Sequence, residues 1–166
     1  LDRATQSRIT GLCIPEALTL ALKKPGVGRK LLAEFVGSAT LVVAAISPTI
    51  LAYNVLQVVL PLAVLFDAIA VAFVLFALIE SLGPVSGAHF NPAVTVAMMA
   101  TKEIDIKTGV QYTVVQMVGG LVGMMSSHLM FYHLEPVLFT VSSVERPGGC
   151  YLAEFLGTFL LLITIY

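Results

Sequence analysis

Apolar residues in this chain follow neither the strict alternation of a half-buried strand nor the one-sided stripe of a surface helix. They come in long unbroken runs. A helix crossing a 30 Å hydrocarbon core needs roughly 20 mostly apolar residues. Four runs qualify: Leu31 to Tyr53, about Val55 to Ile79, about Lys107 to Tyr132, and one from near Gly149 that is still apolar at Tyr166. A turn at Ala52–Asn54 joins the first two, and residues 133–148 link the last two. Residues 1–30 lack the apolar centre of a signal peptide. They hold a short amphipathic piece, PEALTLALKK, which suits an interfacial or cytosolic helix. The pattern predicts an all-α membrane protein.

Composition agrees. The 166 residues are 58% hydrophobic and 11% charged, against about 45–50% apolar and about 25% charged in soluble domains. A net charge of −1 gives no reason to expect a nucleic-acid partner. The distribution of cations says more. Arg3, Arg8, Lys23, Lys24, Arg29 and Lys30 precede the first span, and Lys102 and Lys107 fall between the second and third. Only Arg146 lies between the third and fourth. Positive charge favours the cytoplasmic side, so the N-terminus and the segment around residues 86–101 are expected inside, and residues 133–148 outside. Cys13 and Cys150 are then expected on opposite sides, and no disulfide between them is expected.

The first and fourth spans begin alike. LLAEFVGSATLVV from Leu31 and YLAEFLGTFLLLI from Tyr151 match at Ala33/Ala153, Glu34/Glu154, Phe35/Phe155 and Gly37/Gly157. An odd number of spans separates their starts, so the duplicated unit is inverted in the membrane. Such repeats build channels and transporters whose working sites lie at midplane on broken helices. The second repeat is barely begun at Tyr166. The expectation is an incompletely represented chain, or one that conducts only with another polypeptide.

Between the second and third spans lies SGAHFNPAVT, residues 86–95. Asn91 suits the N-cap of a helix, its side-chain oxygen accepting a backbone N–H. Pro92 suits the first helical position, where no N–H is needed. Val94 to Ala100 then form an apolar body ending at Thr101 and Lys102. Two to three turns reach about halfway through the membrane. Lipid cannot satisfy the irregular backbone of Ser86 to Phe90, so this half-helix must be buried in protein or line a wet cavity. With its oxygen engaged in capping, Asn91 keeps its amide NH₂ as a donor. The helix N-terminus adds about half a positive charge. The carbonyls of Gly87, Ala88 and His89 can form a ladder of acceptors. Acceptors along a wall and a donor at its centre suit a small neutral hydroxylic molecule, and the positive helix end opposes cations.

This string resembles the first Asn-Pro-Ala loop of the aquaporin and glycerol-channel family, and the Ala-Glu-Phe helices are similar to its first and fourth spans. The resemblance implies an aquaporin-like inverted-repeat bundle with a re-entrant half-helix over residues 91–101. It divides the chain into a cytosolic segment (1–30), a first repeat (31–132), an outer loop (133–148) and the truncated start of a second repeat (149–166). It implies a passive channel for water and small neutral solutes such as glycerol, assembled as a homotetramer in the plasma membrane, without cofactor or catalysis. Asn91, Pro92, Ala93, Gly87, Ala88 and His89 would line the pore. Val71 would occupy the second-helix position of its constriction, where a small apolar side chain makes a wide pore. Glu34 and Glu154 would hold the re-entrant loops through buried hydrogen bonds.

The remaining polar residues have alternatives. Glu80 reads as a solvated helix end. Asp67, one turn outward of Val71 on the same face, either makes the outer vestibule acidic or forms a structural hydrogen bond. His89 reads as a fixed loop residue contributing its carbonyl, with a pH sensor as the alternative. His128 and His133, five apart, do not share a face as metal ligands would. Gly119 to Gly123 carry the small-xxx-small spacing that lets helices approach, within the bundle or between subunits. Met98, Met99, Met124 and Met125 read as core filler. A secondary transporter and a non-conducting assembly subunit are the rival functions.

Overall fold

The computed structural model describes residues 25–134, 136 and 148–165. The amphipathic N-terminal piece, Cys13 and most of the 133–148 loop lie outside the described residues. Five helices make up the described chain: α1 (Val27–Thr49), α2 (Leu60–Ser86), α3 (Pro92–Ala100), α4 (Ile106–Met130) and α5 (Gly148–Ile165). Four are long and apolar enough to span a membrane, and the nine-residue α3 is not.

The helix ends correct the sequence reading in two places. Ala52–Asn54 is not the turn between the first two spans. Those residues belong to a π-helical extension of α1, Ile50–Val55. It follows Pro48, whose missing N–H interrupts the helical ladder, and its hydrogen bonds widen to five residues, as in Leu56 N–H to Leu51 O at 2.9 Å. The chain reverses at 56–59 instead, with Gln57 in the left-handed region at φ +54°. The second span accordingly starts at Leu60 rather than Val55, with Pro61 in the first turn. It also does not stop at Ile79. Glu80 reads as the end of the span, yet the helix continues through Gly83 and Pro84 to Ser86. Ser86 is thus the last residue of a helix and not the first of a loop.

The half-helix is capped at both ends as its sequence demands. Asn91 Oδ1 accepts the Ala93 N–H at 2.8 Å, and Pro92 occupies the first turn. At the other end Glu103 N–H reaches Met98 O at 2.9 Å and Lys102 N–H reaches Met99 O at 3.2 Å. That pair of hydrogen bonds wants a left-handed residue just past the helix, and Lys102 supplies it at φ +65°.

α1 is the hub of the bundle, packed against α2 on one side and α4 on the other. The α1–α4 contact depends on the glycine pair foreseen in the sequence. A Cβ on Gly119 would run into the Phe35 carbonyl, and one on Gly123 into the Ala39 carbonyl. Without them the two backbones could not approach so closely. Ser47 of α1 and Ser127 of α4 add a hydrogen bond at 3.2 Å across the same seam. The buried apolar core is small, mostly alanines with Phe90, Val94 and Tyr112. Phe73, Phe76, Leu121, Phe155 and many other large apolar side chains are exposed, the expected surface for a helix solvated by lipid. This is an integral membrane protein. Of the other described helices, α5 packs against α3.

Candidate functional site

The centre of the molecule is a buried carboxylate satisfied by hydrogen bonds. Glu34, on α1, is completely buried. Burying such a group is tolerable only if hydrogen bonds replace its water. Four donors do so. Ser86 Oγ–H at 2.6 Å and the His89 N–H at 3.0 Å reach Oε1. The Phe90 N–H and the Gln116 Nε2, both at 2.8 Å, reach Oε2. Three chain segments, the end of α2, the loop 87–91 and the middle of α4, therefore meet on one side chain of α1.

The consequence for the loop is geometric. The Ala88 N–H donates to Ser86 Oγ at 3.1 Å, so three consecutive N–H groups, of residues 88, 89 and 90, turn toward the Ser86–Glu34 side. The peptide bonds of the described residues are all trans. In a trans peptide the N–H and the preceding C=O point in opposite directions. The carbonyls of Gly87, Ala88 and His89 therefore point away from Glu34. This arrangement requires Gly87, Ala88 and Phe90 to take φ of +96°, +52° and +48°. For Ala88 and Phe90 that conformation costs about 1–2 kcal/mol each, and it persists because Glu34 overrides it. Ser38 Oγ–H also reaches the Phe90 carbonyl, at 3.4 Å.

A second layer fixes the first. Thr95, fully buried, lies 2.9 Å from the Gln116 Nε2 and 3.1 Å from His89 Nδ1. Tyr112 donates its hydroxyl to the Ser86 carbonyl at 2.8 Å and meets the His89 ring edge-on at 5.3 Å. His89 is thus clamped between two helices. Beneath the loop, Lys30, Gly87, His89, Met98, Glu103 and Tyr112 border a cavity of about 470 Å³.

Asn91 is half-buried, while Pro92 and Ala93 are exposed. Among the described residues the Asn91 NH₂ meets no acceptor. Val71 and Asp67 are half-buried on α2. Glu154, equivalent to Glu34 in the repeat, is exposed on α5, bordering a groove with Ala153, Gly157 and Thr158. Glu80 is exposed. Of the residues singled out in the sequence, the structure brings Glu34 together with the loop that carries Gly87 to His89 and Asn91. The sequence reading missed Ser38, Ser86, Thr95, Tyr112 and Gln116, which hold them.

Comparison with known proteins gives the same family. The family model described as major intrinsic protein matches residues 21–166. The aquaglyceroporin AqpS of Rhizobium meliloti is 33% identical over 137 residues, covering 82% of this chain and 58% of its own length. The glycerol uptake facilitator protein-like 6 of Lactiplantibacillus plantarum is 32% identical over 142 residues, covering 82% and 62%. The probable aquaporin AqpM of Archaeoglobus fulgidus is 39% identical over 108 residues, covering 59% and 43%. The chain thus spans 43% to 62% of the length of these three relatives. With a half-helix capped by Asn91 and a buried glutamate holding its loop, the chain belongs to the major intrinsic protein family.

Proposed function

We propose that this chain supplies the inner half of a passive pore for water and small neutral solutes. The observation that carries the reading is the row of three N–H groups turned to the Ser86–Glu34 side. It leaves the Gly87, Ala88 and His89 carbonyls as acceptors on the opposite face. A permeating molecule would donate to these in turn and then accept from the Asn91 NH₂. The N-terminal dipole of α3 disfavours cations at that point. Ser86 to Ala100 form the re-entrant element of the first repeat, 31–132, and α5 starts the second. Val71 sets a wide constriction, in keeping with the glycerol-handling names of two relatives. The N-terminus is cytoplasmic by the distribution of Lys and Arg, the host is the plasma membrane, and the assembly is a homotetramer. No step of this reading uses catalysis or a cofactor.

The test is osmotic. Proteoliposomes carrying the full polypeptide should shrink faster than empty vesicles in stopped-flow light scattering, and should also admit glycerol. Asn91→Asp keeps an oxygen for the Ala93 N–H but replaces the central donor with an acceptor. It should lower water permeability at least fivefold while leaving thermal stability nearly unchanged. Wild-type vesicles no more permeable than empty ones, at verified protein incorporation, would refute the reading.

A further inference from the structure

The side chain that the pore reading leaves without a task is Asp67. It lies seven residues into α2, about 10 Å along a helix of about 40 Å, so it is within the span. Oδ1 of Asp67 is shut off from solvent and has no hydrogen-bond partner among the described residues. An intramembrane carboxyl with an unsatisfied oxygen is costly, and among the described residues no donor compensates it.

Its direction is set by helical geometry. The α2 residues that are not exposed begin with Ala63, Asp67, Ala70, Val71, Val74, Leu75 and Leu78 and continue to Ser86, a single stripe at spacings of three and four. The exposed side is carried by Leu62, Leu65, Phe66, Ile69, Phe73 and Phe76. At about 100° per residue, Asp67 lies on the opposite side of the helix from Leu65, Ile69 and Phe76. It therefore lies on the less exposed side of α2, between fully buried Ala63 and half-buried Val71, with exposed Val64 about 60° away around the helix. Asp67 as a whole is still half-buried and not sealed. Oδ1 itself is sealed, but Oδ2 is not shut off and bonds no described residue, so this half-buried carboxyl is placed to take hydrogen bonds at Oδ2 from whatever passes.

We infer that Asp67 is a specificity-determining residue at the outer mouth, accepting hydrogen bonds from the O–H or N–H groups of neutral solutes entering above Val71. The inference rests on the pore reading. It favours polyols and amides, which present several donors at once, over water, which is small enough to pass without it.

Two measurements test it, and the first does not need conduction. In a Cys13→Ala, Cys150→Ala background, Asp67→Cys should react with a charged, membrane-impermeant thiosulfonate added outside, and glycerol should slow that reaction. Labelling only by a lipophilic maleimide would overturn the inference whether or not the protein conducts. In proteoliposomes, Asp67→Asn should lower the glycerol-to-water permeability ratio about fivefold, the difference between a charged and a neutral acceptor. Asp67→Ala should lower it further, with water permeability within twofold of wild type. A ratio unchanged in both variants, or water and glycerol falling together, would overturn the inference while leaving the pore reading intact. Vesicles that conduct neither solute, with Asp67→Cys unreactive, would remove both.

Discussion

Glu34→Gln isolates what the buried carboxylate does, because it changes one atom and little volume. Each carboxylate oxygen holds one peptide N–H, that of His89 on Oε1 and that of Phe90 on Oε2. Glutamine has a single acceptor oxygen. The other two partners can adapt: the Ser86 hydroxyl can rotate, and the Gln116 amide can flip to present its oxygen. A peptide N–H can do neither. Whichever way the new amide turns, its NH₂ faces either the His89 or the Phe90 N–H. One buried donor is orphaned, at about 1–3 kcal/mol, and the bonds that survive lose their charge assistance, at about 1 kcal/mol. Removing a buried charge works in the opposite direction. That gain is small here, since four donors already stand in for its water. The net loss is about 2–4 kcal/mol. It is comparable with the strain of about 2–4 kcal/mol held in Ala88 and Phe90 together, so the loop is expected to relax and turn its carbonyls out of line. In detergent the melting temperature should fall by about 5–10 °C, and water permeability should fall with it. Glu80→Gln, on an exposed position of α2, is the matched control and should change neither. A Glu34→Gln protein that melts within a degree of wild type and conducts normally would refute the reasoning.

Three further outcomes follow from the packing and the caps. Gly119→Ala and Gly123→Ala each place a methyl against a backbone carbonyl of α1, which cannot move aside like a side chain. Each should destabilise by about 1–3 kcal/mol, read as melting temperature, whereas Gly120→Ala, with only the Val42 side chain nearby at 3.7 Å, should be tolerated. Lys102→Gly should stabilise the end of α3 by about 1 kcal/mol, because a left-handed φ of +65° is strained for lysine and free for glycine; a lower melting temperature would contradict that. Asp105 caps α4 by accepting the Thr108 N–H at 3.0 Å, and its hydrogen bonding to Thr108 holds its carboxyl below the ordinary value of 3.8. Because the folded form is the stronger acid, the cap contributes above about pH 4 and fades as pH falls through the depressed value. Asp105→Asn should flatten that part of the stability profile.

The sequence disclosed what depends on near neighbours. Asn91, Pro92 and Thr101 delimit α3 because capping and the missing proline N–H act within a turn. The four spans were legible because run length is a local property, and Gly119 and Gly123 because four-residue spacing puts both on one face. What escaped depends on distance. Gln116 lies 82 residues from Glu34, and Ser86 lies 52 residues from it. Nothing near Gln116 says which helix it will face, although a glutamine and a tyrosine one turn apart in an apolar span mark an inward side. The end of α2 was misplaced for a different reason. Glu80, Gly83 and Pro84 weaken a helix locally, but Ser86 is drawn in by bonds to Glu34 and from Tyr112. The π-helical extension after Pro48 likewise has no signature that distinguishes it from an early turn.

The account rests on where solvent meets the loop 87–91, and an experimental map of the full polypeptide in lipid, fine enough to show ordered water, tests that most directly. Waters should stand about 2.7–3.2 Å from the Gly87, Ala88 and His89 carbonyl oxygens and from the Asn91 Nδ2, in single file. Those carbonyls packed against acyl chains, or sealed in dry protein with no water at any of the four atoms, would contradict it.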